Sequence, residues 1–197
     1  MKYELIKTDT KIYGSTTLHR IKALKDFGLV KAGDLGGYIE KEVNLSQTGD
    51  AWVYGDAKVY GNANIYGNAC VYGDARVCGN AQVYGDAKVY GNAWVLGNTL
   101  VYGDAKVYGD AWVYSDPKVY GNACVYGDAD VSGDAKVFSN ANVYDNACVF
   151  GNANVYGNAC VYGDAWVFGN ADVSGDAKVY GDAELWGNTH GVKEKNT

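Results

Sequence analysis

The chain has 197 residues, enough for one domain, of which 48% are hydrophobic, with one Pro and one Met. Its net charge is −6 and is uneven: residues 1–48 carry 8 basic and 6 acidic groups, residues 49–187 carry 7 and 16. The long part is therefore acidic, which argues against non-specific nucleic-acid binding, since that needs a basic surface.

Met1 to Ile6 has no apolar run behind its lysine, and no stretch approaches eighteen apolar residues, so neither a signal peptide nor a membrane span is expected. Lys2 to Lys7 and Thr17 to Leu24 read as short strands, with Thr8-Asp9-Thr10 as the turn between them. Lys25 to Gly28 and Lys31 to Gly37 read as loops. Gly37/Ile39 and Val43/Leu45 then read as two inward pairs six residues apart, forming a first, irregular coil. Residues 1–48 are expected to cap the open end of the repetitive remainder of the chain, as a terminal repeat must.

From Gly49 to Trp186 the chain is an uninterrupted run of six-residue units such as Gly-Asp-Ala-Lys-Val-Tyr. A fixed short period means a stacked solenoid. Ala and Val stand two residues apart, so in a strand they point the same way, and a small-plus-aliphatic pair points inward. The residues on either side of Val point outward. Gly with Asp or Asn supplies the bend, since these residues tolerate positive φ at least cost.

The residue after Val splits into three registers, each repeating every 18 residues. The first, from Tyr54 to Tyr180, is all Tyr. The second is mixed, and the third is Tyr or Phe until Ser174. Three registers predict a triangular coil of three units, with like side chains stacking at about 4.8 Å from coil to coil.

The five cysteines, Cys70, Cys78, Cys124, Cys148 and Cys160, sit at outward positions, and no two are 18 apart. Cys124 and Cys160 are two coils apart, roughly 9–10 Å on the stacking distance, too far for a bridge. Unpaired exposed thiols point to a reducing, cytoplasmic setting. Residues 190–197 read as a polar tail, and the last coil is expected to be covered by that tail or by another chain.

Val-Tyr-Gly-Asp-Ala-Lys resembles the unit of the hexapeptide-repeat proteins. The stretches Arg20 to Gly28, Val30 to Tyr38 and Asn44 to Gln47, ahead of Gly-Asp-Ala-Trp-Val, resemble the front end of the YdcK-like bacterial and prophage proteins. The resemblance implies a left-handed hand for the coil and a family classed with the transferases without an established reaction. The expected fold is an all-β, single-stranded left-handed parallel β-helix, a triangular prism with 18 residues per coil and a small N-terminal β cap. Its expected parts are the cap and irregular coil at 1–48, the repeats at 49–189 and the tail at 190–197.

Hexapeptide-repeat acyltransferases use a His base and a coenzyme A cleft between subunits of a trimer, part of it built by a loop that interrupts the repeat. Here the histidines are His19 and His190, both outside the repeats, and no loop interrupts the units. His190 is the one candidate base, and a solvated terminal His is the plainer reading of it. Two histidines cannot supply the three zinc ligands of the related hydratases. Stacked corner carboxylates such as Asp56/Asp74 could attract a hard cation, but Asp and Asn already serve as corner formers, so no metal is expected.

The outward residues carry more information. On the second face lie Trp94, Leu96, Trp112 and Tyr114, then Cys148, Phe150, Trp166, Phe168 and Trp186. Two exposed apolar patches of this kind mark a contact surface, and Trp and Tyr are its favoured anchors. The sequence therefore points to a non-catalytic, rigid, oligomeric scaffold or interaction protein that associates with itself or a protein partner through this face. An acyltransferase-like enzyme using acetyl-CoA is the alternative. Glycan binding on the Tyr ladder of the first face is a further one, and an acidic nucleic-acid decoy is weakened by seven interspersed basic residues.

Overall fold

A computed structural model describes residues 1–187. The repeat forms twenty-three short strands, from β4 (Trp52–Val53), β5 (Lys58–Val59) and β6 (Asn64–Ile65) to β26 (Glu184–Trp186). Every third strand pairs in parallel with a register of 18, as Trp94 with Trp112 and Lys88 with Lys106. The result is a parallel β-solenoid of three sheets with eleven, eight and seven strands.

Each coil donates backbone N–H groups to carbonyls of the next. Trp94 N–H reaches Ala111 O at 2.9 Å and Leu96 N–H reaches Val113 O at 3.0 Å. The interior is the stacked Ala and Val columns, nearly all with no exposed surface. Two positions depart from Ala. Thr99 is fully buried and its hydroxyl donates to the Leu96 carbonyl at 2.6 Å, which removes the cost of burying it. Pro117 stacks next to it and keeps its carbonyl in the ladder, accepting from Leu100 N–H.

The corners explain the Gly column. Gly91 has φ +71°, and a Cβ there would lie 2.9 Å from the backbone N of Gly109 in the next coil. Left-handed backbone and close coil approach both favour glycine. Three corners break the rule: Ser115, Ser139 and Asp145 hold positive φ without being Gly.

The N-terminal segment builds the cap differently from the sequence expectation. β1 (Tyr3–Tyr13) and β2 (Thr16–Ala23) form an antiparallel hairpin turning at Gly14-Ser15. Thr8-Asp9-Thr10 is not the turn; the register shifts between Ile6 and Thr10, so this tripeptide is a bulge within β1. Its purpose is visible in Asp9, whose carboxylate accepts from Arg20 Nε at 2.7 Å. β3 (Leu35–Ile39) includes three residues of the segment read as loop, pairs antiparallel with β2, and pairs in parallel with β5. The hairpin thus extends the first coil of one sheet. Val43 is also corrected: it lies in a 3-10 turn at Glu42–Asn44 and is 63% exposed, while Asn44 turns inward. Leu45 is buried as expected.

The first coil leaves carbonyls pointing at nothing on its open edge, and the cap satisfies one set per face. Tyr38 N–H and Glu40 N–H reach Ala57 O and Val59 O. Asn44 Nδ2 donates to Ala63 O at 2.8 Å and Gly61 O at 3.2 Å. On the remaining face a lysine does the work: Lys2 Nζ donates to Ala51 O at 2.8 Å and Gly49 O at 3.3 Å. Lys2 is almost wholly buried, and burial lowers its ammonium to about 8 against the opposing pull of Asp50.

The cap also covers two residues that the repeat pattern places outward. Trp52 is 1% exposed, with its ring 5.2 Å from Phe27 and 6.1 Å from Tyr3. Lys58 is buried beside the hairpin. The pattern predicts which way a side chain points from the prism; it cannot foresee what an irregular segment lays over it.

Candidate functional site

The second face is the outer side of the eleven-stranded sheet. Flanking the inward aliphatic column are two ladders that run parallel to the prism axis. One reads Arg76, Trp94, Trp112, Asp130, Cys148, Trp166, Glu184 in consecutive pairings. The other, two residues further along each unit, holds Cys78, Leu96, Tyr114, Ser132, Phe150, Phe168 and Trp186.

The structure brings the expected residues together as two patches. Trp94 and Trp112 stack with centroids 5.0 Å apart. Phe150 and Phe168 stack at 5.1 Å, and Trp166 meets Phe150 edge-on at 5.9 Å. Trp112, Trp166 and Trp186 are 46%, 48% and 73% exposed. Trp94, Leu96, Tyr114, Cys148, Phe150 and Phe168 are half-buried, because stacked neighbours cover their faces and leave edges to solvent.

Three features of this face were not singled out in the sequence. Arg76 closes the first patch, its guanidinium 4.4 Å from the Trp94 ring and 5.4 Å from Tyr13. The hairpin folds against the same end: Tyr13 lies 5.5 Å from Tyr60, and Lys11 pairs with Asp56 at 2.6 Å. It therefore forms a ledge at the N-terminal boundary of the face. Asp130 divides the two patches. Its Oδ2 accepts from Tyr114 at 3.3 Å, while its Oδ1 is buried without a partner. Burial raises this carboxyl above its ordinary range. With Tyr114, Ser132, Cys148, Phe150 and Trp166 it lines a shallow depression of about 240 Å³. A lone charge between uncharged rungs of the ladder is the signal for Asp130; the ledge has no signal in the repeat.

The first face carries the Tyr ladder, stacked from Tyr72 to Tyr180 at 4.7–5.2 Å. Consecutive rings lie within 11° of parallel, so each ring face is taken by its neighbour. Sugar stacking needs an open aromatic face, which a continuous ladder does not present along its length. All five cysteines are free and half-buried rather than exposed. Burial pushes up the thiols of Cys70, Cys78, Cys124 and Cys148, the opposite of what a nucleophilic thiolate requires.

His19 lies in β2, with a buried Nδ1 that has no partner. His190 lies outside the described residues. Among the described residues no group of three or more His, Cys, Asp or Glu is placed to hold a metal ion. Several corner carboxylates are tied into side-chain ladders: Asn68 donates to Asp86, Asn92 to Asp110 and Asn98 to Asp116, at 3.1, 2.8 and 2.7 Å. No helix of the described residues is long and apolar enough to cross a membrane.

No curated protein matches the chain. Residues 63–79 and 81–97 each match a family model described as the YdcK Beta solenoid repeat. The two matched segments are adjacent, each close to one 18-residue coil of the prism. The chain is a β-solenoid in which two adjacent coils match the YdcK β-solenoid repeat.

Proposed function

We propose that this protein is a rigid, non-catalytic scaffold that binds protein through the tryptophan-bearing second face. The supporting observation is the exposure of Trp112, Trp166 and Trp186 on one face, while Trp52 is buried. A large aromatic left in water costs roughly 1.5–3 kcal/mol relative to burial, and three on one side are repaid when a partner covers them. The prism core supplies the rigidity: the anchors stand on strands with fixed backbone and lose little freedom on binding. Free thiols fit a reducing compartment such as the cytoplasm.

The test is the double variant Trp112→Lys and Trp166→Lys, used as bait beside the wild-type protein, with equal melting temperatures required of both. Wild type is expected to retain a specific protein, a second copy included, that the variant loses. Identical capture by both would overturn the reading. Acetyl-CoA binding by the purified protein at micromolar concentration would favour the acyltransferase reading in its place.

A further inference from the structure

We propose that the occupant of the second face is a second copy of this chain, docked antiparallel about a two-fold axis that lies along β17 (Asp130–Val131). Such a dimer rests on the reading of this face as a contact surface and deepens it.

The ladders themselves suggest the symmetry. Seven rungs are open between the hairpin ledge and the end of the described prism, and the fourth of them is Asp130. An in-plane two-fold along that strand reverses the prism axis and keeps each ladder facing its own counterpart. Arg76 then meets the partner's Glu184. Within the described residues neither side chain has an ion-pair partner of its own. The two patches exchange: Trp94 lies against the partner's Trp166, and Leu96 against the partner's Phe168. Size also matches, since Trp112 falls opposite the partner's Cys148, and the protruding Trp186 falls opposite the partner's Cys78. The ledge limits the register in one direction, because sliding the partner one rung toward it, about 4.8 Å, brings the partner's Trp186 rung to the level of Tyr13; sliding it away from the ledge breaks the Arg76–Glu184 contacts.

A parallel pair with its axis along the prism fares worse. It exchanges the two ladders, so Arg76 falls opposite the partner's Cys78 and at the level of the partner's Arg76, and Glu184 opposite the partner's Trp186 and at the level of the partner's Glu184, which brings like charges to one level and forms no opposite-charge contact. The antiparallel pair has one strained point, its centre. There Asp130 faces the partner's Asp130, and the two carboxylates repel. Proton uptake by one of them relieves part of that repulsion. The raised carboxyl of Asp130 is in keeping with that.

The experiment is molar mass by light scattering and sedimentation equilibrium, in reductant, on the full chain and four variants. Wild type is expected to be a concentration-dependent dimer. Arg76→Glu and Glu184→Arg singly should each weaken it by about tenfold or more, and the two together should restore it, because the swap re-forms both contacts. Asp130→Asn should tighten the dimer by removing the central repulsion. Melting temperatures close to wild type confirm that each variant folds.

A wild type that stays monomeric, or assembles as a trimer, overturns the dimer. So does a dimer indifferent to the charge variants, or one that the double swap fails to restore. Loss of the dimer leaves the wider reading standing if the Trp112→Lys/Trp166→Lys protein still loses a different protein partner; loss of both sinks the two together.

Discussion

Single residues in this protein are judged by the backbone they must adopt. Ser115, Ser139 and Asp145 hold φ of 75°, 62° and 58° at corners where the other units use Gly. A side chain in that region costs on the order of 1–2 kcal/mol, offset in part by the lower entropy it has to lose. Ser115→Gly and Ser139→Gly should each stabilise by about 0.5–1 kcal/mol in urea unfolding. Asp145→Gly should gain less, because its carboxylate accepts the Gly163 N–H at 3.3 Å and that bond is lost. The converse, Gly91→Ala, should cost roughly 2 kcal/mol or more, since strain and a clash with Gly109 add.

Lys2 carries a prediction of a different kind. Its folded pKa lies near 8, below the unfolded value of 10.5, so between these the unfolded chain binds more protons. Stability then rises with pH across that window. Tyr3 and Tyr60 act in the opposite sense: burial raises both hydroxyls, so above pH 10 the unfolded chain ionises first and stability falls. Protection of the cap amides against hydrogen exchange, corrected for intrinsic rate, should climb from pH 8 to about 10 and decline beyond it. A flat or falling profile from pH 8 would mean that Lys2 keeps its proton at ordinary cost.

At the scale of the strand and its corner, stability comes from columns rather than from any one unit. The corner amides form directional ladders in which each Asn donates to the next coil, as Asn140 does to Asn158 and Asn158 to Asp176. Replacing Asn158 with Asp removes that donor and stacks a carboxylate on Asp176. Asn158→Asp should destabilise by about 0.5–1 kcal/mol at neutral pH and low salt, and recover much of that at pH 3 or in 1 M salt. Urea midpoints under the three conditions check it; a loss that ignores both salt and pH would assign the cost to geometry alone.

The same columns explain what could be read in advance. Period six, the Ala–Val pair and the Gly corner specify the strands, the inward set and the three-sided coil, because each unit has one way to face its repeat. The two tryptophan patches were legible for the same reason: Trp94 and Trp112 are 18 apart and stack. The cap was legible only as a cap. Its hairpin turn, the bulge at Asp9 and the inward Asn44 depend on contacts with distant residues, and Trp52 is buried by partners more than 20 residues earlier. Arg76 and the ledge at Tyr13 belong to the same class of long-range outcome.

For the molecule as a whole, the prism has a closed end at the cap and one face that is chemically unlike the others. Tyr ladders on two sides satisfy their own ring faces, whereas the second face leaves three tryptophans in solvent. That asymmetry makes tryptophan fluorescence a report on this face almost alone, because the fifth, Trp52, is enclosed by the cap. Iodide quenching of that fluorescence, followed beside molar mass from micromolar concentration upward, therefore tests the central claim directly. The expected result is quenching that falls as the mass doubles, with both changes abolished in the Trp112→Lys/Trp166→Lys protein. A mass that doubles while quenching stays constant would place association elsewhere on the prism. A protein that remains monomeric and fully quenchable throughout would remove self-association from the second face.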